Sequence, residues 1–249
     1  MLEGIRKRGT QTRALTLVVW HKLRQDGVRS LLRRGIGKLP RWHDRDRTQS
    51  SFDQEFGTDT DGVVPLWKLQ IESPHREQGV RYQASAPDFI RAAIESLPIA
   101  PADFVYVDIG SGKGRTLLVA SEYPFRRVIG VEFSSELNAI ATENIRRYRG
   151  VRRRCADVSS VCADAATWEF PTENTVLFLY NPFGERVLRR VLGNLRTSLA
   201  RHPRDVYIIY SHPILAHLLD DSGFLQRIDA PIEGAIYRHA SQGANSRSS

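Results

Sequence analysis

The stretch that most constrains this chain is Phe104-Val-Tyr-Val-Asp-Ile-Gly-Ser-Gly-Lys-Gly-Arg115. Phe104 to Ile109 is an apolar run with β-branched residues, the pattern of a strand buried in a parallel sheet. It breaks into Gly110-Ser111-Gly112-Lys113-Gly114 and resumes as a short helical run, Arg115 to Ser121. Strand, glycine-rich turn and helix in succession make a site where a ligand meets bare backbone amides and a helix N-terminus. Two ligand classes use such turns. A dinucleotide fingerprint needs Gly-x-Gly-x-x-Gly, and its third glycine would fall at Arg115. Here the spacing is Gly-x-Gly-x-Gly, with Asp108 two residues before the first glycine. A carboxylate there repels a pyrophosphate and suits a ligand carrying an ammonium group.

The sequel repeats the pattern. A second apolar run, Arg127-Val-Ile-Gly-Val-Glu-Phe133, brings Glu132 to its end. Ser134 then caps a helix from Ser135 to Arg149, with Leu137, Ile140, Ala141 and Ile145 on one face. Val158 to Asp164 reads as a third strand, Thr175 to Phe183 as a fourth and Asp205 to Tyr210 as a fifth. Between the last two lies the amphipathic helix Glu185 to Ala200, and Ile214 to Leu219 forms the next helix. Leu225 to Ile228 and Ala235 to His239 make a terminal antiparallel pair. Such alternation predicts an α/β fold, an open, doubly wound, mostly parallel sheet with helices on both faces. Ligands in such sheets bind outside the carboxyl ends of the strands. Asp108, Glu132, Asp164, Asn181 and His212 all fall at or just beyond those ends, which groups them into one expected site.

The turn after Asp108, the acid at Glu132 and their order resemble motif I and its sequel in the class I, seven-stranded methyltransferases that use S-adenosylmethionine. The resemblance covers residues 82–240. It implies a cofactor site containing Asp108, Gly110, Ser111, Gly112 and Gly114, with Glu132 accepting hydrogen bonds from both ribose hydroxyls. Ala163-Asp164-Ala165 resembles the element whose acid or backbone contacts the adenine amino group. The helix Pro87 to Leu97 would cover the methionine end, which brings Tyr82 and Gln83 toward the methionine carboxylate. Tyr180-Asn181-Pro182-Phe183-Gly184 stands where amino-group methyltransferases commonly carry Asn or Asp, two prolines and an aromatic. Only one proline is present, with Phe183 in place of the second. The Asn181 oxygen and the adjoining carbonyl would accept hydrogen bonds from an amine and aim its lone pair, and Tyr180 or Phe183 would pack on the methyl or on a cationic substrate group. The departure from the amine pattern leaves the acceptor atom open, oxygen included. His212 is a general-base candidate, or a structural histidine. The resemblance implies N-methylation with protein lysine as first substrate, nucleic acid or a small molecule as alternatives, and a non-catalytic cofactor-binding module as the reading from another class.

Charge separates the N-terminal region from the rest. Residues 1–50 hold 13 Lys+Arg against 4 Asp+Glu, a net of +9, while the remainder holds 23 against 24. Within this arm, apolar residues from Leu15 to Leu32 recur at helical spacing over 13–34. An accessory helix pair packing on the domain, a membrane-surface helix and a nucleic-acid contact all fit that pattern. Residues 41–51 read as a linker. Phe52 to Gly62, with Asp53, Glu55, Asp59 and Asp61, reads as either a functional loop or a set of capped turns. The division expected is a basic extension at 1–50, a lid-like segment at 51–81, the methyltransferase domain at 82–240 and a disordered tail at 241–249. Two cysteines without metal spacing, Cys155 and Cys162, point to a reducing cytoplasm and no structural metal. No apolar run is long enough to span a bilayer, and no small-residue cleavage site follows the apolar core at 14–20, which argues against a signal peptide.

Overall fold

The seven runs read as strands between Phe104 and His239 each become a strand of one sheet. The computed structural model describes residues 51–240 apart from 70, 72, 80 and 151. The expected helix pair at 13–34, nearly all of the linker at 41–51 and the tail at 241–249 lie outside the described residues.

A short helix, α1 (Ser51–Phe56), opens the described chain. Two two-residue strands, β1 (Val63–Val64) and β2 (Tyr82–Gln83), then pair antiparallel, with Val64 opposite Tyr82. Helix α2 (Pro87–Glu95) starts with proline in its first turn, where no backbone N–H is needed, after an extended Ala86. The main sheet comprises β3 (Val105–Ile109), β4 (Arg127–Glu132), β5 (Val158–Cys162), β6 (Thr175–Tyr180), β7 (Val206–Ser211), β8 (Gln226–Ile228) and β9 (Ala235–His239). Its order is β5-β4-β3-β6-β7-β9-β8. The first five neighbours in that order run parallel, and β9 runs antiparallel to both β7 and β8. Helices α3 (Arg115–Ala120), α4 (Ser135–Arg147), α5 (Glu185–Arg201) and α6 (Ala216–Asp220) connect the strands.

Alternation along β3 assigns its side chains to two cores. Val105, Val107 and Ile109 join the cluster that takes Val187, Leu188, Val191, Leu192, Leu195 and Leu199 from α5. Tyr106 joins the opposite cluster with Ile90 and Ile94 of α2 and Leu117 and Leu118 of α3. Fully burying one such side chain contributes roughly 1.5–3 kcal/mol before chain entropy is counted. Both faces of the sheet are therefore covered, as a parallel sheet requires. Asp108 takes the Tyr106 face one pleat further on and is itself buried. From β3 the chain proceeds outward to β4 and β5, then returns to β6 on the other side of β3. That reversal opens a crevice at the carboxyl ends of β3 and β6.

Boundaries differ from expectation by one to three residues, and the fourth strand, β6, ends at Tyr180 rather than Phe183 because Asn181 turns to positive φ. Helix α4 ends at Arg147, because Tyr148 leaves helical ψ and buries its ring. Strand β5 ends at Cys162, so Asp164 lies in the turn beyond it.

Candidate functional site

The glycine turn after β3 has positive φ at all three glycines, 82° at Gly110, 54° at Gly112 and 85° at Gly114. Two of them are also crowded. A Cβ on Gly110 would lie 2.5 Å from Pro182 Cβ, and one on Gly112 would lie 2.2 Å from the Tyr82 ring. The turn is thus held between the end of β6 and Tyr82. Its amides are not bare, contrary to expectation. Gly110 and Ser111 donate to the Val131 carbonyl at 2.8 and 3.2 Å, Gly114 donates to the Ser111 carbonyl at 2.8 Å, and Gly112 donates to Glu132 Oε2 at 2.8 Å. A pyrophosphate would need those N–H groups free.

Carboxylates face the cleft instead. Asp108 and Glu132 line it and are 3% exposed each. Burial pushes Asp108 up to about 8, with a Thr116 hydrogen bond opposing and the Glu132 charge reinforcing the rise. Burial likewise pushes Glu132 up to about 6, although backbone N–H groups of Ser134, Gly112 and Phe133 oppose it. Glu132 Oε1 accepts from Ser134 N–H at 2.9 Å. A carboxylate offers about four lone-pair sites, so capacity for two hydroxyl donors remains. Burial thus holds both acids toward their protonated form, and a cation beside them would favour the charged form.

The turn's own cations are committed elsewhere. Lys113 is 4% exposed and donates to Asp59 Oδ1 at 2.7 Å and the Asp61 carbonyl at 2.8 Å. Arg115 Nε donates to Thr60 Oγ1 at 2.7 Å, and its guanidinium lies 3.5 Å from both Asp53 and Asp61. Asp53 accepts from the Thr58 and Thr60 hydroxyls at 2.7 Å each and from Thr60 N–H at 2.9 Å. Asn144 closes the network, its amide bridging Asp59 with the Lys113 carbonyl. The Tyr82 hydroxyl donates to the Thr60 carbonyl, which fixes the ring over Gly112. Tyr82 lines the cleft through that ring, with its hydroxyl engaged inside the protein. Residues 52–61 are thus a brace for the glycine turn. Asp53→Ala is expected to cost about 2–3 kcal/mol, since it strips a buried carboxylate from several donors and one cation. Chemical denaturation measures this; a loss under half a kilocalorie would mean the brace is dispensable.

Asn181, at the other wall, has φ of 44°, and His212, expected in the same site but not among the residues that line the cleft or its recess, has φ of 54°; they are the two non-glycine residues with positive φ among those described. They follow directly on neighbouring strands β6 and β7. Left-handed side-chain-bearing residues cost of order 1–3 kcal/mol and gather at functional sites. Tyr210 donates its hydroxyl to Asn181 Oδ1 at 3.3 Å, and the Tyr180 and His212 rings stack with centroids 5.7 Å apart. Tyr180, Asn181 and Pro182 line the cleft. Phe183, expected beside Tyr180 at the methyl group, is placed differently. It turns into the α5 core, 8% exposed, and Gly79 pairs with it as a single antiparallel bridge.

Beyond Gly110 and Pro182 the cleft continues as a more apolar recess lined by Val131, Phe133, Ala163, Ala165 and Phe183, with His75 and Asp164 at its polar edge. Asp164 is committed within the protein. Its Oδ2 accepts from Ser73 Oγ at 2.5 Å and meets His75 Nδ1 at 2.7 Å, and its Oδ1 accepts from Ala166 N–H at 2.8 Å. Burial works to raise its pKa, yet the His75, Ser73 and Ala166 hydrogen bonds outweigh burial and hold it below the usual range.

No protein-family model matches the sequence, and no curated protein matches it. Solved structures do resemble it. They include the 23S rRNA methyltransferase ErmE (15% identical, 64% of this chain and 69% of that one, TM-score 0.43). Others are an RNA methyltransferase from Salinibacter ruber in complex with S-adenosyl-L-homocysteine (18%, 66% and 97%, 0.39) and a ribosomal protein L11 methylase from Lactobacillus delbrueckii subsp. bulgaricus (15%, 61% and 76%, 0.41). The sheet expected from the resemblance, seven strands and mostly parallel, is the sheet observed.

Within this fold, Asp108, Gly110, Ser111, Gly112, Glu132, Tyr82, Tyr180, Asn181 and Pro182 meet at one cleft, and Asp164 and Phe183 line its recess. Gly114 stands behind the turn against Ala141, and Asp59 and Asp61 belong to the brace. Sequence reading missed Phe133, which lines both halves of the cleft, and His75, whereas the capped turns that were one of the two readings of residues 52–62 are present, held by Asp53 and the Thr58 and Thr60 side chains. Phe133 was within reach, since it follows Glu132 directly. Asn144 also left a trace, as a polar residue seven positions after Leu137 on the buried stripe of α4.

Proposed function

We propose that the chain is a methyltransferase that uses S-adenosylmethionine, acting on nitrogen, with protein lysine as first substrate. The observation that carries the cofactor reading is the pair of acids in the cleft. Asp108 and Glu132 are buried and face it, while Lys113 and Arg115 of the same turn have their charged ends engaged by residues 53–61. A phosphate-bearing cofactor needs the reverse arrangement.

The chemical fit is specific. In this reading Asp108 meets the amino group of the methionine moiety, and Glu132 the ribose hydroxyls. Ser85 and Gln83 line the same half of the cleft and offer donors for a carboxylate. When bound, the cofactor supplies an electrophilic methyl group on a sulfonium. The protein's part is then to position a neutral nucleophile and keep water out. Asn181, held by its strained backbone and by Tyr210, orients the acceptor through its side-chain amide and the adjoining carbonyl. Tyr180, stacked on His212, forms the neighbouring wall. The Asn-Pro turn is the feature that favours nitrogen. Nucleic acid is the second substrate reading, favoured by the net charge of +9 over residues 1–50.

Calorimetry tests the cofactor reading. S-adenosylhomocysteine is expected to bind with a Kd on the micromolar scale, about −8 kcal/mol, and NAD is expected to give no heat. Binding of NAD with silence toward both methionine cofactors would overturn the reading.

A further inference from the structure

We propose that His75, a residue outside the main sheet, reads the amino edge of the adenine ring in place of the acid at Asp164. The inference rests on the cofactor reading above. The recess beyond Gly110 has the walls a nucleobase needs, flat and apolar, with Phe133, Ala163 and Ala165 among them. The acid expected to meet the exocyclic amino group is engaged three times over by Ser73, His75 and Ala166. His75 lines the recess beside that carboxylate and takes up one of its oxygens through Nδ1.

The tautomer follows from the partner. An ionised carboxylate only accepts, so the proton between His75 and Asp164 sits on Nδ1. In the neutral ring Nε2 is then a lone-pair acceptor, and among the described residues it has no hydrogen-bond partner. An exocyclic amino group is a donor and matches it; a ring carbonyl at the same place would oppose two lone pairs. Ser73 donates to Asp164 rather than to His75, and His75 N–H donates to Ser73 Oγ at 3.0 Å, so the trio forms a mount for the imidazole. The segment is fixed from its other end as well. Gly184 N–H donates to the Gln78 carbonyl at 2.7 Å, and Gly79 pairs with Phe183. A ring fixed on both sides gives a stationary acceptor, which is what base discrimination requires.

The test is a two-by-two binding experiment with S-adenosylhomocysteine and S-inosylhomocysteine, which carries a carbonyl where adenine has its amino group. The full-length protein is compared with His75→Phe. Phenylalanine keeps a ring beside Asp164 and removes the acceptor nitrogen. The unaltered protein is expected to favour the adenosyl ligand at least about tenfold, one good hydrogen bond with its unpaired penalty. His75→Phe is expected to bind S-adenosylhomocysteine about tenfold more weakly and to bring the two ligands within about twofold of each other. Discrimination retained in a folded His75→Phe variant, or an unaltered protein that prefers or equals the inosyl ligand, would overturn the assignment. Failure of the unaltered protein to bind either ligand would overturn the cofactor reading beneath it.

Discussion

Asp108→Asn is expected to weaken S-adenosylhomocysteine binding roughly 30-fold or more, since removing one charge of a buried, hydrogen-bonded pair costs about 2–5 kcal/mol. The substitution keeps the shape and the Thr116 contact, so the loss isolates the charge. The same group also sets a pH dependence. Burial raises Asp108 to about 8 and Glu132 to about 6, so at neutral pH the empty site holds protons that a cationic ligand must displace. Affinity should therefore rise from pH 6 to pH 8, with protons released on binding. Calorimetry in buffers of different ionisation enthalpy measures that release. In Asp108→Asn the release should shrink to what Glu132 contributes.

Fold stability runs the other way. Unfolded carboxyls ionise near 4 while the folded ones keep their protons to higher pH, so the stabilisation from these two acids is complete below their unfolded values. It is then lost as pH rises through 6 and 8. Unchanged affinity in a folded Asp108→Asn variant, together with pH-independent binding, would remove Asp108 from the site.

Asn181→Ala is expected to lower turnover by about 10²-fold, the scale of a misplaced acceptor, while cofactor affinity stays within about twofold. Alanine at φ 44° also carries backbone strain, so the variant's melting temperature must be checked first. Asn181→Gly relieves the strain and still lacks the amide, and the same loss is expected of it. Cofactor affinity that collapses while single-turnover rate survives would contradict the role given to Asn181.

The sheet was legible because its signals are local. Apolar runs such as Val105–Ile109 and Thr175–Tyr180 are buried on both faces, and each ends in a glycine or proline turn that chain chemistry demands. Asp108, Glu132 and Asn181 were legible for the same reason, as polar residues placed where such runs stop. What stayed hidden was pairing across long sequence distances. His75 and Asp164 lie 89 residues apart, and Lys113 lies 54 from Asp59. A free lysine in a glycine turn and a buried, braced one have the same spelling. Phe183 shows a further limit, because an aromatic after a proline can face a ligand or a core with equal local propriety. Its direction is set by Gly79, Gln78 and α5, none of which its neighbours in sequence reveal.

The most direct measurement is transfer of a radiolabelled methyl group from S-adenosylmethionine into a fractionated cell lysate, with the unaltered protein beside Asn181→Gly. The expected result is label accumulating in the protein fraction with the unaltered chain and falling about 10²-fold with the variant. Label in the nucleic-acid fraction instead would keep the methyltransferase and replace the substrate. No label in protein, nucleic acid or small molecules, from a chain that binds S-adenosylhomocysteine, would contradict catalysis and leave a cofactor-binding module.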